Sequence, residues 1–252
     1  MSHSFATALV TGASSGLGRE FCRQLAPHCE RIVAVARRSE ELEALAAELD
    51  ATTVVRALVA DLATVEGVTR VVEAIRQQGP VDILVNNAGF AAAGGFGESS
   101  LERQLAMVAV HLETSLSLCR AVIPFMRARG RGAIINVSSL AGFLVTENAA
   151  VYAASKAFLN SFTLSLREEL AGAGIRVQAL CPGFTRTGFH ATDDMAGFEP
   201  EKVPDALWMS AAEVVTTSLA ALDEGRALVV PGDDNRARAR AGLKDLLEML
   251  EE

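Results

Sequence analysis

The chain has 252 residues, half of them hydrophobic and 21% charged, and its formal net charge is -8. This length suits one large domain with a substantial core, and the hydrophobic content argues against intrinsic disorder. The acidic balance argues against a nucleic-acid partner, because nucleic-acid binders normally carry a basic face.

The N-terminus has neither the charged start nor the apolar run of a signal peptide, and no stretch has the roughly 18 consecutive apolar residues of a membrane span. The four cysteines are scattered and form no CxxC pair, so we expect neither a disulfide framework nor a metal site. We therefore predict a cytoplasmic protein that binds no membrane and no metal ion.

Apolar runs alternate with helical patterns along the whole chain. The predicted strands are residues 6–10, 32–36, 53–59, 83–85, 133–137, 176–180 and 226–230. The predicted helices are residues 17–26, 40–49, 65–77, a long helix that a capping box at Ser99 and Glu102 opens and that runs to about residue 129, and residues 151–171. This alternation indicates parallel strands joined by helical crossovers. We predict one α/β domain over residues 1–252, a Rossmann-type doubly wound parallel sheet with helices on both faces.

A glycine-rich turn joins the first predicted strand to the first helix, with the spacing G-x-x-x-G-x-G. Such glycines allow a tight turn and bring the backbone close to a diphosphate, which binds the N–H groups of the helix N-terminus. A plain structural turn is the alternative. The residues expected to contact a dinucleotide here are Gly12, Ser14, Ser15, Gly16, Leu17 and Gly18.

The end of the second predicted strand indicates which dinucleotide binds. An acidic residue there would accept hydrogen bonds from the ribose 2′-hydroxyl of NAD. This chain has Ala36, Arg37 and Arg38 instead, and guanidinium groups bind a 2′-phosphate. The pair therefore predicts NADP(H), unless the two arginines are only solvated residues at a helix start.

Tyr152 and Lys156 stand four residues apart in a predicted helix, so they share one face. A phenol has an ordinary pKa near ~10, and a neighbouring ammonium lowers it toward useful proton transfer. Ser138 and Ser139 follow the fifth predicted strand, at the edge of the sheet where the glycine turn also lies. Open parallel sheets bind ligands at this edge, and a serine hydroxyl there can bind a substrate carbonyl.

These motifs together resemble the compact, single-domain branch of the short-chain dehydrogenase/reductase family. The resemblance covers about residues 6–187. It rests on TGASSGLG at residues 11–18, Asp61-Leu62, NNAG at residues 86–89, Ser139 thirteen residues before Tyr152, the Y-x-x-x-K pair, and PGFTRT at residues 182–187.

The resemblance implies a role for each matching residue. Tyr152 is expected to be the general acid in carbonyl reduction and the base in alcohol oxidation, Lys156 to bind the nicotinamide ribose, and Ser139 to polarise the carbonyl. The further cofactor contacts that it implies are Asp61, Leu62, Asn87, Ala88, Gly89, Pro182, Gly183, Thr185 and Thr187. Residues 86–89 equally suit a turn that supports the central strands.

The family also implies a substrate lid over about residues 188–207 and a homodimer or homotetramer. Phe189, Met195, Phe198 and Trp208 suit a mostly apolar carbonyl compound, although shielding of the cofactor explains them equally well. Ketone, aldehyde, ketoacyl thioester and hydroxysteroid substrates stay open. Leucines at positions 243, 246, 247 and 250 make an apolar stripe that we expect to pack on the body of the domain or on a second subunit.

One position departs from the family pattern, which has Val-Asn where this chain has Val110-His111. The family's Asn is thought to hold a proton-relay water through its main-chain carbonyl. The His111 side chain therefore has no catalytic role, relays protons itself, or indicates that the activity of this protein is weakened. Two other functions share part of this pattern. A non-catalytic NADP sensor or scaffold has no need of Ser139, Tyr152 and Lys156 together, and a Rossmann-like epimerase or dehydratase normally needs a larger second domain.

Overall fold

The computed structural model describes residues 5–92, 94–191 and 199–251. The strands of its main sheet are β1 (Phe5–Thr11), β2 (Cys29–Ala36), β3 (Val54–Val59), β4 (Ile83–Asn86), β5 (Gly132–Val137), β6 (Ile175–Leu180) and β9 (Leu228–Val229). All are parallel, in the order β3-β2-β1-β4-β5-β6-β9. Two short strands, β7 (Thr185–Arg186) and β8 (Met209–Ser210), pair with each other outside this sheet.

Helices cover both faces of the main sheet. They are α1 (Gly16–Leu25), α2 (Ser39–Leu49), α3 (Val65–Gln78), α4 (Leu101–Val108), α5 (Thr114–Arg129), α6 (Ala150–Glu169), α7 (Ala211–Asp223) and α8 (Asp233–Glu248). A π-helical turn, Ala109–Glu113, joins α4 to α5. The predicted Rossmann-type parallel sheet is confirmed. The strand order reverses between β1 and β4, which is where such sheets open a crevice for a ligand.

The central strands are buried and mostly apolar because they contribute to a core on each face. Along β1, Ala8 and Val10 pack into one core and Leu9 into the other. Successive side chains of a strand point to opposite faces, so a sheet that helices cover on both sides buries both sets. This is why short continuous apolar runs located the strands in the sequence.

Several elements differ from their prediction. The capping box expected at Ser99 and Glu102 is wrong, because Ser100 caps α4 and its Oγ accepts a hydrogen bond from the Arg103 N–H at 3.3 Å. The Ser99 hydroxyl instead accepts a hydrogen bond from the side-chain amide of Gln104, Nε2, at 3.0 Å. The long helix is also interrupted by the π turn, and β9 is shorter than predicted.

The C-terminal leucines do not pack on the body of the domain. Their exposed fractions range from 41% at Leu246 to 83% at Leu250. The buried residues of α8 instead include the small residues Ala239 and Gly242. A Cβ at Gly242 would lie 2.3 Å from the carbonyl oxygen of Phe143, so this close approach requires glycine.

Within the described residues, one helical segment, Leu101–Arg129, is long and apolar enough by length and composition to cross a membrane. Its side chains Leu118, Val122 and Met126 are buried in a core beside the sheet. This is the packing of a core helix, which passes the same test of length and composition.

A buried carboxylate joins the beginnings of β1 and β4 to the end of α5. Asp82 Oδ2 accepts hydrogen bonds from the N–H groups of Ala6, at 2.8 Å, and Thr7, at 3.1 Å. Asp82 Oδ1 lies 2.8 Å from Nη1 of Arg129. Removing this carboxylate would leave two buried N–H groups without their acceptor.

We therefore expect Asp82→Ala to lower the free energy of unfolding by about 2–4 kcal/mol, measured by urea denaturation. The matched control is Asp50→Ala, an exposed acid at the end of α2, which should change it by less than about 0.5 kcal/mol. Equal effects of the two substitutions would show that the buried carboxylate is not a structural anchor.

Candidate active site

The glycine turn closes tightly between β1 and α1. Gly12 and Gly16 have φ values of +67° and +53°, which glycine adopts without strain. A Cβ at Gly18 would lie 2.2 Å from the carbonyl oxygen of Gly12, so no larger residue fits. The Ser15 side chain does not cap α1. The turn therefore leaves the first N–H groups of the helix uncapped by a side chain, as an anion-binding helix start requires.

One of the two arginines after β2 lies against the glycine turn. Arg38 Nη2 is 3.0 Å from the hydroxyl oxygens of both Ser14 and Ser15. Arg37 and Arg38 are both exposed, and the sequence alone did not indicate which of them would bind the 2′-phosphate. The structure distinguishes Arg38 by its contact with two residues that were themselves expected to bind the dinucleotide.

The loop after β4 is tied to the glycine turn by Thr11, which sequence reasoning did not name as a site residue. Thr11 Oγ1 accepts hydrogen bonds from the N–H groups of Asn87 and Ala88, each at 2.9 Å. The Asn87 side chain donates to the carbonyl oxygen of Thr11 at 2.8 Å. Asn87 and Ala88 thus lie beside the glycine turn, and the available signal was that Thr11 begins the TGASSGLG motif.

Asp61 and Leu62 follow β3 at the same edge of the sheet. The Asp61 carboxylate is exposed and accepts a hydrogen bond from the Ala63 N–H at 3.0 Å. Leu62 is buried, and its carbonyl oxygen accepts a hydrogen bond from the Thr114 hydroxyl at 3.0 Å. Both residues therefore have structural contacts at the place where the resemblance expects a cofactor contact.

Tyr152 and Lys156 lie in the first turns of α6, next to the end of β5. Lys156 Nζ donates to the carbonyl oxygen of Val137 at 3.0 Å and lies 5.6 Å from the centre of the Tyr152 ring. The Ser138 hydroxyl donates to the main-chain carbonyl of Lys156 at 2.8 Å. Ser138 is buried in this contact, which leaves Ser139 as the serine that reaches the phenol by hydrogen bond.

The electrostatics of the pair differ from the prediction. Burial raises the pKa of Tyr152, and the hydrogen bond with Ser139 opposes that rise. Burial also lowers the pKa of Lys156 to about 7. The expected lowering of the Tyr152 pKa by Lys156 is therefore wrong, because burial raises it and Lys156, with a pKa of about 7, is uncharged at the pH where the phenol titrates. At neutral pH the phenol holds its proton.

The segment after β6 passes close to the glycine turn. A Cβ at Gly16 would lie 3.3 Å from the Cβ of Thr187, so these two loops meet. The carbonyl oxygen of Pro182 accepts a hydrogen bond from the Leu140 N–H at 2.8 Å. Thr185 and Thr187 bond within the segment, to the carbonyl oxygens of Gly183 and Thr185.

The expected lid is described only in part, and Met195 and Phe198 lie outside the described residues. The Phe189 ring lies 6.2 Å from the Tyr152 ring, and the Trp208 ring lies 5.4 Å from that of Phe184. Trp208 also lines a cavity of about 820 Å³, whose other lining residues are Arg186, Thr187, Pro200, Glu201, Val203, Pro204 and Asp205. Arg186 and Asp205 form an ion pair at 2.9 Å in this lining.

The His111 ring lies beside the Tyr152 ring. The His111 side chain is 1% exposed, and its ring centre lies 5.8 Å from that of Tyr152 and 6.3 Å from that of Phe90. His111 Nδ1 is 2.8 Å from the hydroxyl oxygen of Ser155. Burial, and then the charge of Lys156, lower the pKa of His111 well below its ordinary value of 6.5, so the imidazole is neutral.

Comparison with known proteins places this geometry in a family. The chain matches the short chain dehydrogenase family over residues 6–195. It is 38% identical over 184 residues to a galactitol 2-dehydrogenase (L-tagatose-forming) from Cereibacter sphaeroides, which covers 72% of this chain and 72% of that protein.

Solved structures show the same fold over nearly the whole chain. A short-chain dehydrogenase from Sphingobium yanoikuyae in complex with NADPH has a TM-score of 0.85 and 33% identity, with 97% of this chain and 95% of that chain covered. A short-chain dehydrogenase/reductase from Burkholderia phymatum in complex with NAD also has a TM-score of 0.85, over 99% of this chain and 96% of that chain. Its 24% identity shows the fold alone. The chain belongs to the short-chain dehydrogenase family and is an oxidoreductase.

Proposed function

We propose that this protein is an NADP(H)-dependent oxidoreductase that interconverts a carbonyl compound and its alcohol by hydride transfer. The observation that carries the proposal is the meeting of Ser139, Tyr152 and Lys156 at the sheet edge where the glycine turn lies. A protonated phenol that is hydrogen-bonded to a serine suits proton donation to a carbonyl oxygen.

The described residues fit a dinucleotide. The close approach of Gly18 to the carbonyl oxygen of Gly12 keeps the turn tight beside the start of α1, whose first N–H groups no side chain caps. We assign the diphosphate to this turn, with Gly12, Ser14, Ser15, Gly16, Leu17 and Gly18. The further proposed contacts are Asp61, Leu62, Asn87, Ala88, Gly89, Tyr152, Lys156, Pro182, Gly183, Thr185 and Thr187.

The preference for NADP(H) rests on Arg38. Its guanidinium is held over the turn by the Ser14 and Ser15 hydroxyls, which orients it before any ligand arrives. An oriented guanidinium binds a phosphate with less loss of side-chain entropy than a free one. The related protein from Sphingobium yanoikuyae was solved with NADPH.

The proton chemistry belongs to this chain's own side chains. When bound, the nicotinamide supplies or accepts the hydride. In the reducing direction, Tyr152 Oη gives its proton to the carbonyl oxygen as negative charge develops there, and the Ser139 hydroxyl donates a hydrogen bond to the same oxygen. Lys156 is held at Val137 by its hydrogen bond, and its ammonium stabilises the phenolate that remains.

The surroundings of Tyr152 favour a mostly apolar substrate. The Phe189 ring lies beside the phenol, and Phe184 and Trp208 pack together nearby. Arg186 and Asp205 neutralise each other in the cavity lining and Glu201 adds a negative charge, so the lining offers no net positive charge to an anionic substrate. We propose that this compound is converted in the cytoplasm.

Arg38→Ala should reduce the preference for NADPH over NADH at least tenfold, about 1.4 kcal/mol, because it removes the guanidinium that faces the 2′-phosphate. Titration of the purified protein with each cofactor measures it. Arg37→Ala is the matched control and should change the ratio less. An unchanged ratio in Arg38→Ala would refute the assignment of this arginine.

Tyr152→Phe should lower turnover by about 10²–10⁴-fold while NADPH affinity is kept, because only the transferable proton is lost. NADPH oxidation against a panel of ketones and aldehydes measures the rate. Ser139→Ala should also lower turnover. Ser138→Ala is the comparison, since Ser138 holds the main chain of Lys156 rather than the phenol, and it should lower turnover less than Ser139→Ala and stability more. A Tyr152→Phe protein with more than a tenth of the wild-type rate would exclude the phenol as the acid.

We also propose a homodimer or homotetramer, because exposed leucines lie on α4, α5 and α8. Sedimentation at micromolar concentration should give at least twice the mass of the chain. Leu246→Glu and Leu247→Glu together test whether α8 contributes, and an unchanged oligomer would exclude that helix. A monomeric wild type at all concentrations would contradict the proposal.

A further inference from the structure

His111 stands in the middle of a row of rings that runs toward the phenol. The Arg103 guanidinium stacks on the Phe90 ring, with Cζ 3.9 Å from the ring centre. Phe90 contacts His111, and the edge of the His111 ring meets the Tyr152 ring with an angle of 69° between the planes. The imidazole therefore covers one side of the phenol, while Phe189 lies 6.2 Å away on another.

A second connection runs through Ser155. Its hydroxyl donates to the main-chain carbonyl of Tyr152 at 2.7 Å and lies 2.8 Å from Nδ1 of His111. The Ser155 hydroxyl therefore lies within hydrogen-bond distance of both the His111 ring and the Tyr152 main chain, and it connects the two.

We propose that His111 is a positioning residue for Tyr152, with its ring packing against the phenol and its Nδ1 hydrogen-bonded to the Ser155 hydroxyl that contacts the Tyr152 main chain. The inference rests on the proposed role of Tyr152 as the acid. It assigns to the His111 side chain a task that a main-chain carbonyl at this position could not perform.

The surroundings of the imidazole oppose a role in carrying protons. It is buried, and the charge of the nearby Lys156 on α6 lowers its pKa further, while a hydrogen bond with the Phe90 main chain opposes this. Protonating His111 would place a second positive charge beside Lys156 in a buried site. These surroundings favour the neutral imidazole.

Three variants distinguish the effect of the His111 ring from the effect of its hydrogen bond at Nδ1. His111→Phe keeps an aromatic ring and removes Nδ1, Ser155→Ala removes the hydroxyl, and the double variant removes both. We expect each single variant to lower kcat about tenfold with saturating NADPH, and the double variant to lose no more than either. The KM for the carbonyl compound should change less. His28→Phe, a substitution of the same kind away from the site, should leave kcat unchanged.

The chain has one tyrosine, so the ultraviolet absorbance of tyrosinate during a pH titration reports Tyr152 alone and requires no turnover. His111→Ala opens a side of the phenol to water and should lower the Tyr152 pKa from its raised value toward the ordinary ~10. His111→Phe should keep the raised value because the ring still excludes water. A merely structural role would lower the melting temperature and leave this titration unmoved.

Several results would overturn the inference. They are additive losses of kcat in the double variant, a kcat in His111→Phe within twofold of wild type, or an unmoved Tyr152 titration in His111→Ala. Loss of an ionisation between about pH 6 and 7 from the rate profile of His111→Phe would make His111 a proton relay instead. If the His111 variants do not fold, Ser155→Ala alone must show the loss of kcat. The titration also distinguishes the two proposals. If Tyr152→Phe were active and the Tyr152 titration were shifted in His111→Ala, the role of Tyr152 as the acid would be refuted. The positioning of Tyr152 by His111 would still hold.

Discussion

Two hydrogen bonds hold α6 against the end of β5, one from the Ser138 hydroxyl to the carbonyl of Lys156 and one from Lys156 Nζ to the carbonyl of Val137. Gly142 lets the chain pass close beneath the helix, since a Cβ there would lie 2.8 Å from the main-chain carbon of Lys156. Because the phenol and the ammonium lie on this helix and Ser139 follows this strand, their separation depends on this docking.

The cofactor half of the site depends on a comparable link at the neighbouring strands. Thr11 and Asn87 exchange hydrogen bonds between the ends of β1 and β4, where the strand order reverses. The glycine turn is thereby fixed to the strand that adjoins β5. Main-chain hydrogen bonds between the strands then fix the position of the cofactor half of the site relative to the catalytic half. This suits a reaction that needs donor and acceptor atoms aligned to a fraction of an ångström.

Sequence reasoning located the strands because each buried strand is a short apolar run, and it found the glycine turn and the Tyr152–Lys156 face from spacing alone. It placed the cap at Ser99 rather than Ser100, because adjacent serines give nearly the same pattern. It gave the wrong direction for the Tyr152 pKa, which depends on burial and on Lys156 pointing toward Val137. The π turn and the exposed leucines of α8 follow from tertiary packing, which no local pattern reports.

The π turn between α4 and α5 makes the two helices differ in phase. A single added residue rotates the following helix face by about 100°, since an α-helix has 3.6 residues per turn. Gln104 and Met107 are buried before the turn, and Leu118 and Val122 are buried after it. A one-residue deletion in Ala109–Glu113 would therefore keep an unbroken helix yet turn one of these apolar sides toward water. Alignments that pass through this segment without a gap can pair His111 with a residue that, in a relative lacking the turn, points away from the phenol.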